Sequence, residues 1–263
     1  MGRMIVGAVA VVVLASCGND ASRGPALSDG TDAASRSGAR AATPQAPAPT
    51  PQTQGSNPYT LHPTPYTPRI VFLGTSLTAG LGLDPDQAFP ALIQRRLDAA
   101  HLPWQAVNAG VSGETSAGAL RRLDALLAAP VAVLVVETGA NDGLRGLELD
   151  STHANLEAIV RRARAARPGV RIVLAGMEVP PNLGPRYAAR FRALFPEIAA
   201  RERLALIPFL LAGVGGVDTL NQPDGIHPNQ AGERIVADNV WRVLAPLLAR
   251  EGGAARGTVD AAP

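Results

Sequence analysis

The 263-residue chain contains no lysine; its 24 basic residues are all arginine. Chemistry that needs an ε-amine is excluded with it, including Schiff-base catalysis and the phosphate-binding lysine of a P-loop. Cysteine occurs once, at Cys17, so an internal disulfide and a cysteine-based zinc cluster are ruled out. Four histidines leave room for one catalytic imidazole and argue against a histidine-rich metal site. The formal charge of +2 falls far short of the basic excess of a nucleic-acid binder. The apolar run Ile5 to Ala15 is too short for a bilayer span, which needs about 20 residues. What is abundant is ordinary core material: 46% hydrophobic and 17% charged residues, the balance of a globular chain of one or two domains.

Arg3 followed by Ile5 to Ala15 has the layout of a secretory signal. It ends in Leu14-Ala15-Ser16-Cys17, which resembles a bacterial lipobox. That resemblance implies cleavage before Cys17, diacylglycerol on its sulfur and acylation of the new amino group, a stable membrane anchor in the bacterial cell envelope. Gly18 stands where an aspartate would retain such a protein in the inner membrane, which points to the outer membrane of a cell that has one. The plainer alternative is a secretory signal with an incidental cysteine. Val6 occupies the position where a myristoylation motif wants Ser or Thr.

Four segments follow from composition. Residues 1–17 form the signal. Residues 18–68 are rich in Ala, Pro, Ser, Thr and Gln, with prolines that block helices and ladders, and read as a disordered tether. Residues 69–250 form one domain, and 251–263 a short Gly/Ala-rich tail. Within the domain, apolar runs at Ile70–Leu73, Val131–Val136, Ile172–Ala175 and Leu204–Ile207, with a weaker one at Gln105–Val107, suit buried parallel strands. Helical spacing connects Leu120, Leu123, Leu126 and Leu127, then Leu156, Ile159, Val160 and Ala163. A last helix is expected from about Asn229 to Ala249, with Ile235, Val236, Val243 and Leu244 inward. The alternation predicts an α/β fold with helices on both faces of a parallel sheet.

Such sheets bind ligands beyond the carboxyl ends of their strands. Four polar motifs fall there: Gly74 to Gly80 (GTSLTAG), Asn108 to Thr115 (NAGVSGET), Gly139 to Gly146 (GANDGLRG) and Asp224 to Pro228 (DGIHP). Ser76 sits at a strand-to-helix turn, where it can be a nucleophile or simply a helix cap. Asp224, three residues before His227, can orient its ring and leave the other nitrogen as base. Asn141 can cap a helix or aim its amide at a developing negative charge, and Gly113 permits close backbone approach or a tight turn.

Together these segments resemble blocks I, II, III and V of the SGNH, or GDSL, hydrolase superfamily, and within it the bacterial thioesterase I/arylesterase/lysophospholipase group. The likeness includes Pro181 to Tyr187 (PNLGPRY) and covers nearly all of 69–250. It implies a three-layer α/β/α sandwich with a five-stranded parallel sheet in flavodoxin-like order. By position, Ser76 matches the nucleophile, Asp224 and His227 the rest of the triad. Ser76 and Gly113 match the backbone donors of the oxyanion hole, and Asn141 its side-chain donor. The family's GDSL acid is Thr75 here, and Glu114 replaces the usual Asp of block II.

The resemblance further implies a serine esterase acting on carboxylic esters or thioesters, with aryl or short-to-medium acyl esters and lysophospholipids as candidates, through an acyl-enzyme. No metal or organic cofactor is implied, and no nucleic-acid partner. Leu144, Val179, Pro180 and Leu183 are expected to line an apolar acyl groove, or else to be surface-loop packing. Glu178 beside them is expected to disfavour anionic head groups. Arg145 reads as a loop anchor ahead of a head-group contact. Arg161, Arg162, Arg164, Arg167 and Arg171 read as a solvated, ion-paired face ahead of a contact with anionic lipid. Two other readings remain at this stage: a carbohydrate O-deacetylase of the envelope on the same fold, and a non-catalytic envelope lipoprotein with a decayed site.

Overall fold

In the computed structural model, residues 67–256 are described. Cys17, the signal, the tether up to residue 66 and the last residues of the tail lie outside them. Five strands form one sheet: β1 (Arg69–Gly74), β2 (Gln105–Gly110), β3 (Val133–Val136), β4 (Arg171–Ala175) and β5 (Ala205–Ile207). All pair in parallel, in the order β2-β1-β3-β4-β5. This is the expected flavodoxin-like order.

The strands differ in composition because they differ in place. β1, β3 and β4 are central, and Ile70–Leu73, Val133–Val136 and Ile172–Ala175 are buried, hence their unbroken apolar runs. β2 is an edge strand of exposed and half-buried residues, QAVNAG, and extends three residues past the apolar run to Gly110. Val131 is buried but precedes β3, which begins at Val133.

Among the described residues seven α-helices flank the strands: α1 (Ser76–Ala79), α2 (Phe89–Ala99), α3 (Ser116–Leu127), α4 (Ala140–Leu144), α5 (Leu149–Ala166), α6 (Pro185–Glu202) and, after the last strand, α7 (Gln230–Arg256). α2 packs on α7, while α3 packs on α5 and α5 on α6, giving a helical layer on each face. Phe72 of β1 meets Phe89 of α2 edge-on at 5.5 Å, which ties one layer to the sheet. On the other, Leu123, Leu127, Leu156, Ile159, Val160 and Ala163 are buried as their spacing predicts, with Leu120 and Leu126 partly so. Trp104 is buried and Trp241 packs against the core.

α7 corrects one boundary. It starts where expected, Asn229 capping it by accepting the N–H groups of Ala231 and Gly232. It then continues through Arg256, so residues 251–256 extend the helix and do not begin a separate tail. Among the described residues no helix is long and apolar enough to cross a membrane.

Four of the five cluster arginines have partners in the fold, while Arg161 is exposed without one among the described residues. Arg162 pairs with Asp124 and Arg164 with Glu202. Arg167 donates to the carbonyls of Leu127 and Ala128, and Arg171 lies over the Trp104 ring at 5.7 Å.

Candidate active site

β1 ends at Gly74, and the chain turns at once into α1. A side chain at Gly74 would collide with Thr78 and Glu137, a Cβ lying 1.9 Å from the Thr78 hydroxyl oxygen. The absence of that side chain lets the turn close tightly. Ser76 opens α1, and as the first helical residue its N–H has no intrahelical acceptor. Its side chain is nearly buried, 8% exposed, so its Oγ faces a defined set of neighbours.

The Ser76 Oγ lies 2.8 Å from His227 Nε2. The other ring nitrogen, Nδ1, lies 2.7 Å from Asp224 Oδ2. Asp224 Oδ1 accepts the backbone N–H groups of Ile226 and His227, at 2.9 and 3.0 Å. These bonds, the His227 N–H first, hold the Asp224 carboxyl down at about 2, so it is a carboxylate throughout the neutral range. Against an ionised Oδ2, Nδ1 is the protonated nitrogen, and Nε2 is left as an acceptor facing the serine hydroxyl.

The loop bearing His227 is fixed by its own bonds. Gln222 N–H donates to the His227 carbonyl at 2.7 Å, and Asn221 bridges Pro228. The Gln222 side chain donates to the Leu81 carbonyl at 2.6 Å, tying this loop to the one that follows the serine.

The expected oxyanion donors are brought to the same edge. β1 and β2 run in register to the Gly74–Gly110 pair, which places the Gly113 loop beside the serine turn. Gly113 has φ +76°, a backbone that favours glycine, and among the described residues its N–H donates to no protein atom. Asn141, on α4, donates one amide hydrogen to the Glu114 carbonyl at 3.0 Å, leaving its second hydrogen available. Arg145 donates to the Gly113 carbonyl at 2.8 Å; it is the loop anchor anticipated, with a carbonyl and not a carboxylate as partner. Glu114 pairs with Arg122, which also donates to the Gly74 carbonyl at 3.1 Å.

Three buried acids support this arrangement and were not anticipated. Glu137 accepts the Thr75 N–H at 2.7 Å, the Thr75 hydroxyl at 3.0 Å and the Thr78 hydroxyl at 2.8 Å. Burial pushes its pKa up, against those hydrogen bonds. Asp142 accepts the N–H and hydroxyl of Ser116, at 2.8 and 2.5 Å, locking α4 to the start of α3. Glu233 accepts the Phe89 N–H at 2.7 Å, and burial raises its pKa to about 8.

A groove of about 360 Å³ opens beside the serine. Leu77, Leu144, Met177, Val179, Pro180 and Ile226 line it, with Glu178 at its edge. Three of the four expected lining residues are therefore there. Leu183 is not. A 3-10 turn over Pro181–Leu183 carries it to a separate cleft, bounded by Gly146, Leu147, Arg186 and Tyr187. Among the described residues no cluster of His, Cys, Asp and Glu is arranged to hold a metal ion.

A parallel α/β sandwich with a Ser–His–Asp relay at the carboxyl edge of its sheet has the architecture of a serine hydrolase. The chain belongs to the GDSL-like lipase/acylhydrolase family, whose model matches residues 72–235. It is 46% identical to the Esterase TesA of Pseudomonas aeruginosa over 180 residues, 68% of this chain and 89% of that protein. It is 37% identical to the Thioesterase 1/protease 1/lysophospholipase L1 of Escherichia coli, over 68% of this chain and 84% of that protein. A crystal structure of TesA superimposes with a TM-score of 0.65 at 45% identity, covering 68% of this chain and 99% of that one.

Proposed function

We propose that the chain hydrolyses carboxylic esters or thioesters in two steps through a Ser76 acyl-enzyme. The observation that carries this reading is the relay itself: Ser76 Oγ at 2.8 Å from His227 Nε2, and Nδ1 at 2.7 Å from an ionised Asp224. Ser76 Oγ attacks the carbonyl carbon as its proton passes to Nε2. Asp224 keeps the ring oriented and stabilises the imidazolium. The carbonyl oxygen takes up the negative charge, which the N–H groups of Ser76 and Gly113 and the free amide hydrogen of Asn141 stabilise. Collapse expels the alcohol or thiol, which leaves with the proton from Nε2. Water then attacks the acyl-enzyme with its proton going to Nε2, and the acid departs as that proton returns to Ser76 Oγ.

The apolar groove favours an acyl chain longer than acetyl. Aryl and short-to-medium acyl esters, thioesters and lysophospholipids are the substrate classes proposed, in keeping with the names of the relatives. Hydrolysis of p-nitrophenyl esters from acetyl to palmitoyl, with Ser76→Ala alongside, tests the reading. Turnover that peaks above acetyl and vanishes in Ser76→Ala supports it. Strict acetyl preference moves the assignment to a carbohydrate O-deacetylase, and full activity in Ser76→Ala overturns the mechanism.

The lipobox-like Leu14-Ala15-Ser16-Cys17 supports a further proposal, that the mature chain is lipid-anchored in the cell envelope through Cys17. Incorporation of labelled palmitate that Cys17→Ser abolishes is the expected result, and unlabelled wild-type protein overturns it.

A further inference from the structure

Among the described residues, seven large apolar side chains are exposed, at 38–44%. All seven lie in connections beyond the carboxyl ends of the strands. Leu81 follows β1, Val111 follows β2, and Leu144 and Leu147 follow β3. Leu183 follows β4; Val217 and Ile226 follow β5. The connections at the opposite edge of the sheet hold none, and their Leu102, Trp104, Val131 and Val170 are partly or fully buried. An even scatter of exposed apolar residues needs no explanation; confinement to one edge does.

Five of the seven gather around the groove through contacts already described, and Leu147 and Leu183 line the neighbouring cleft with Arg186 and Tyr187. Leu144 and Ile226 border the groove, and Val217 follows Gly216, which also lines it. The Gln222 bond to the Leu81 carbonyl sets Leu81 beside the Ile226 loop, and the Arg145 bond to Gly113 sets Val111 beside the Leu144 loop. Leu81, Val111 and Val217 do not line the groove. A soluble ester bound in the groove gives no role to these three.

Charge restricts what can cover them. The same connections contain one arginine among the described residues, Arg145, whose guanidinium is already bound to Gly113, while Arg186 and Arg190 of α6 lie beside Leu147 and Leu183. They carry exposed carboxylates at Asp84, Asp86, Glu148, Glu178, Asp218 and Asp224, of which Asp86 pairs with Arg95, Glu178 with Arg192 and Asp224 with His227. A rim of interspersed charges of both signs gives no net attraction to an anionic surface and matches a zwitterionic one.

We propose that this rim seats the domain on a zwitterionic lipid surface, with the mouth of the groove turned toward the acyl chains. The substrate is then an ester presented by a lipid aggregate. Binding, unlike turnover, does not require the nucleophile, so this proposal and the hydrolase reading can fail separately.

The test uses residues 61–263, which include all the described residues 67–256. The TesA crystal structure, matched over 99% of its length by 68% of this chain, is a folded protein corresponding to that segment. Ser76→Ala protein is sedimented with phosphatidylcholine vesicles, with and without added phosphatidylglycerol. Leu81→Ser/Val217→Ser is compared on the same background and, with Ser76 restored, on a monomeric short-chain ester. The expected result is partition onto phosphatidylcholine, not strengthened by phosphatidylglycerol and lowered about tenfold in the double variant by the lost apolar burial. Turnover of the monomeric ester is unchanged. Absence of partition, or equal partition by the double variant, overturns the proposal. So does a salt-sensitive preference for phosphatidylglycerol, which would move the contact to the arginine-bearing helices. A dimer in sedimentation that the double variant dissolves also overturns it, by placing a second copy on the rim. Vesicle binding without ester turnover in the Ser76 protein keeps this proposal and removes the hydrolase reading.

Discussion

Thr75 and Glu137 are joined twice: the threonine N–H donates to the buried carboxyl at 2.7 Å and its hydroxyl does so at 3.0 Å. The residue before the serine is therefore fixed by an acid from the end of β3. This is the physical content of the departure at Thr75, where the GDSL pattern has an acid. The chain has a neutral hydroxyl where that pattern has an acid, and the hydroxyl donates to the Glu137 carboxyl.

Restoring the acid is expected to cost stability. Thr75→Asp sets a second carboxyl against Glu137, and two such groups coexist in a buried site by sharing one proton. As pH rises and that proton leaves, the charges repel. The variant should lose about 1–3 kcal/mol, with activity falling on the alkaline side earlier than in the wild type. Thermal melts and pH–kcat/KM profiles check this, and adding Glu137→Gln should restore both.

Asp224→Asn is expected to lower kcat by about three to four orders of magnitude, because an amide can fix the wrong imidazole tautomer. Stopped assays on a p-nitrophenyl ester measure it. The Asp224 pKa of about 2 also sets a stability term. A depressed carboxylate stabilises the fold above its ordinary pKa of 3.8, and that contribution disappears as pH falls toward 2. An acid limb in the activity profile above pH 4 is therefore not the titration of Asp224.

Asn141→Ala removes one proposed oxyanion donor and the bond to the Glu114 carbonyl. A fall in kcat of about 10²–10³ with little change in KM is expected. An equal loss confined to KM would mean that Asn141 positions substrate and does not stabilise charge.

Glu233 acts in the opposite direction to Asp224. Its pKa is raised from 4.5 to about 8, so the folded chain holds a proton that the unfolded chain releases between those values. The stability this contributes is full below pH 4.5 and is lost as pH rises through about 8. Glu233→Gln should flatten that decline and raise Tm at pH 9 relative to wild type, while its carbonyl still accepts the Phe89 N–H. Calorimetry at pH 5 and pH 9 decides it.

The parts legible in the sequence are those whose signal is local. β1, β3 and β4 are buried on both faces, so their runs of Val, Ile and Leu are visible without any structure. Ser76, Asn141, Asp224 and His227 sit in short motifs of fixed spacing at strand ends. β2 was legible only in part, since an edge strand buries too little to force an apolar run. Glu137, Asp142 and Glu233 gave no signal. A carboxylate in a sequence reads as surface, and what makes these three interior is a donor elsewhere: Thr75 is 62 positions from Glu137, and Phe89 is 144 from Glu233. Leu183 was misplaced because a single 3-10 turn decides which side of the segment it faces.

Ser76 and His227 stand 151 positions apart, and their loops are clasped by the Gln222 bond to Leu81. A ribosome delivers the serine 151 residues before the imidazole. The nascent polypeptide thus carries its hydroxyl as an ordinary alcohol until that imidazole is made, without a base to activate it. The relay is complete only once the loop between β5 and α7 is seated on the one that follows the serine. A truncation or a slowly docking terminus therefore yields an inert intermediate and not a partly competent one.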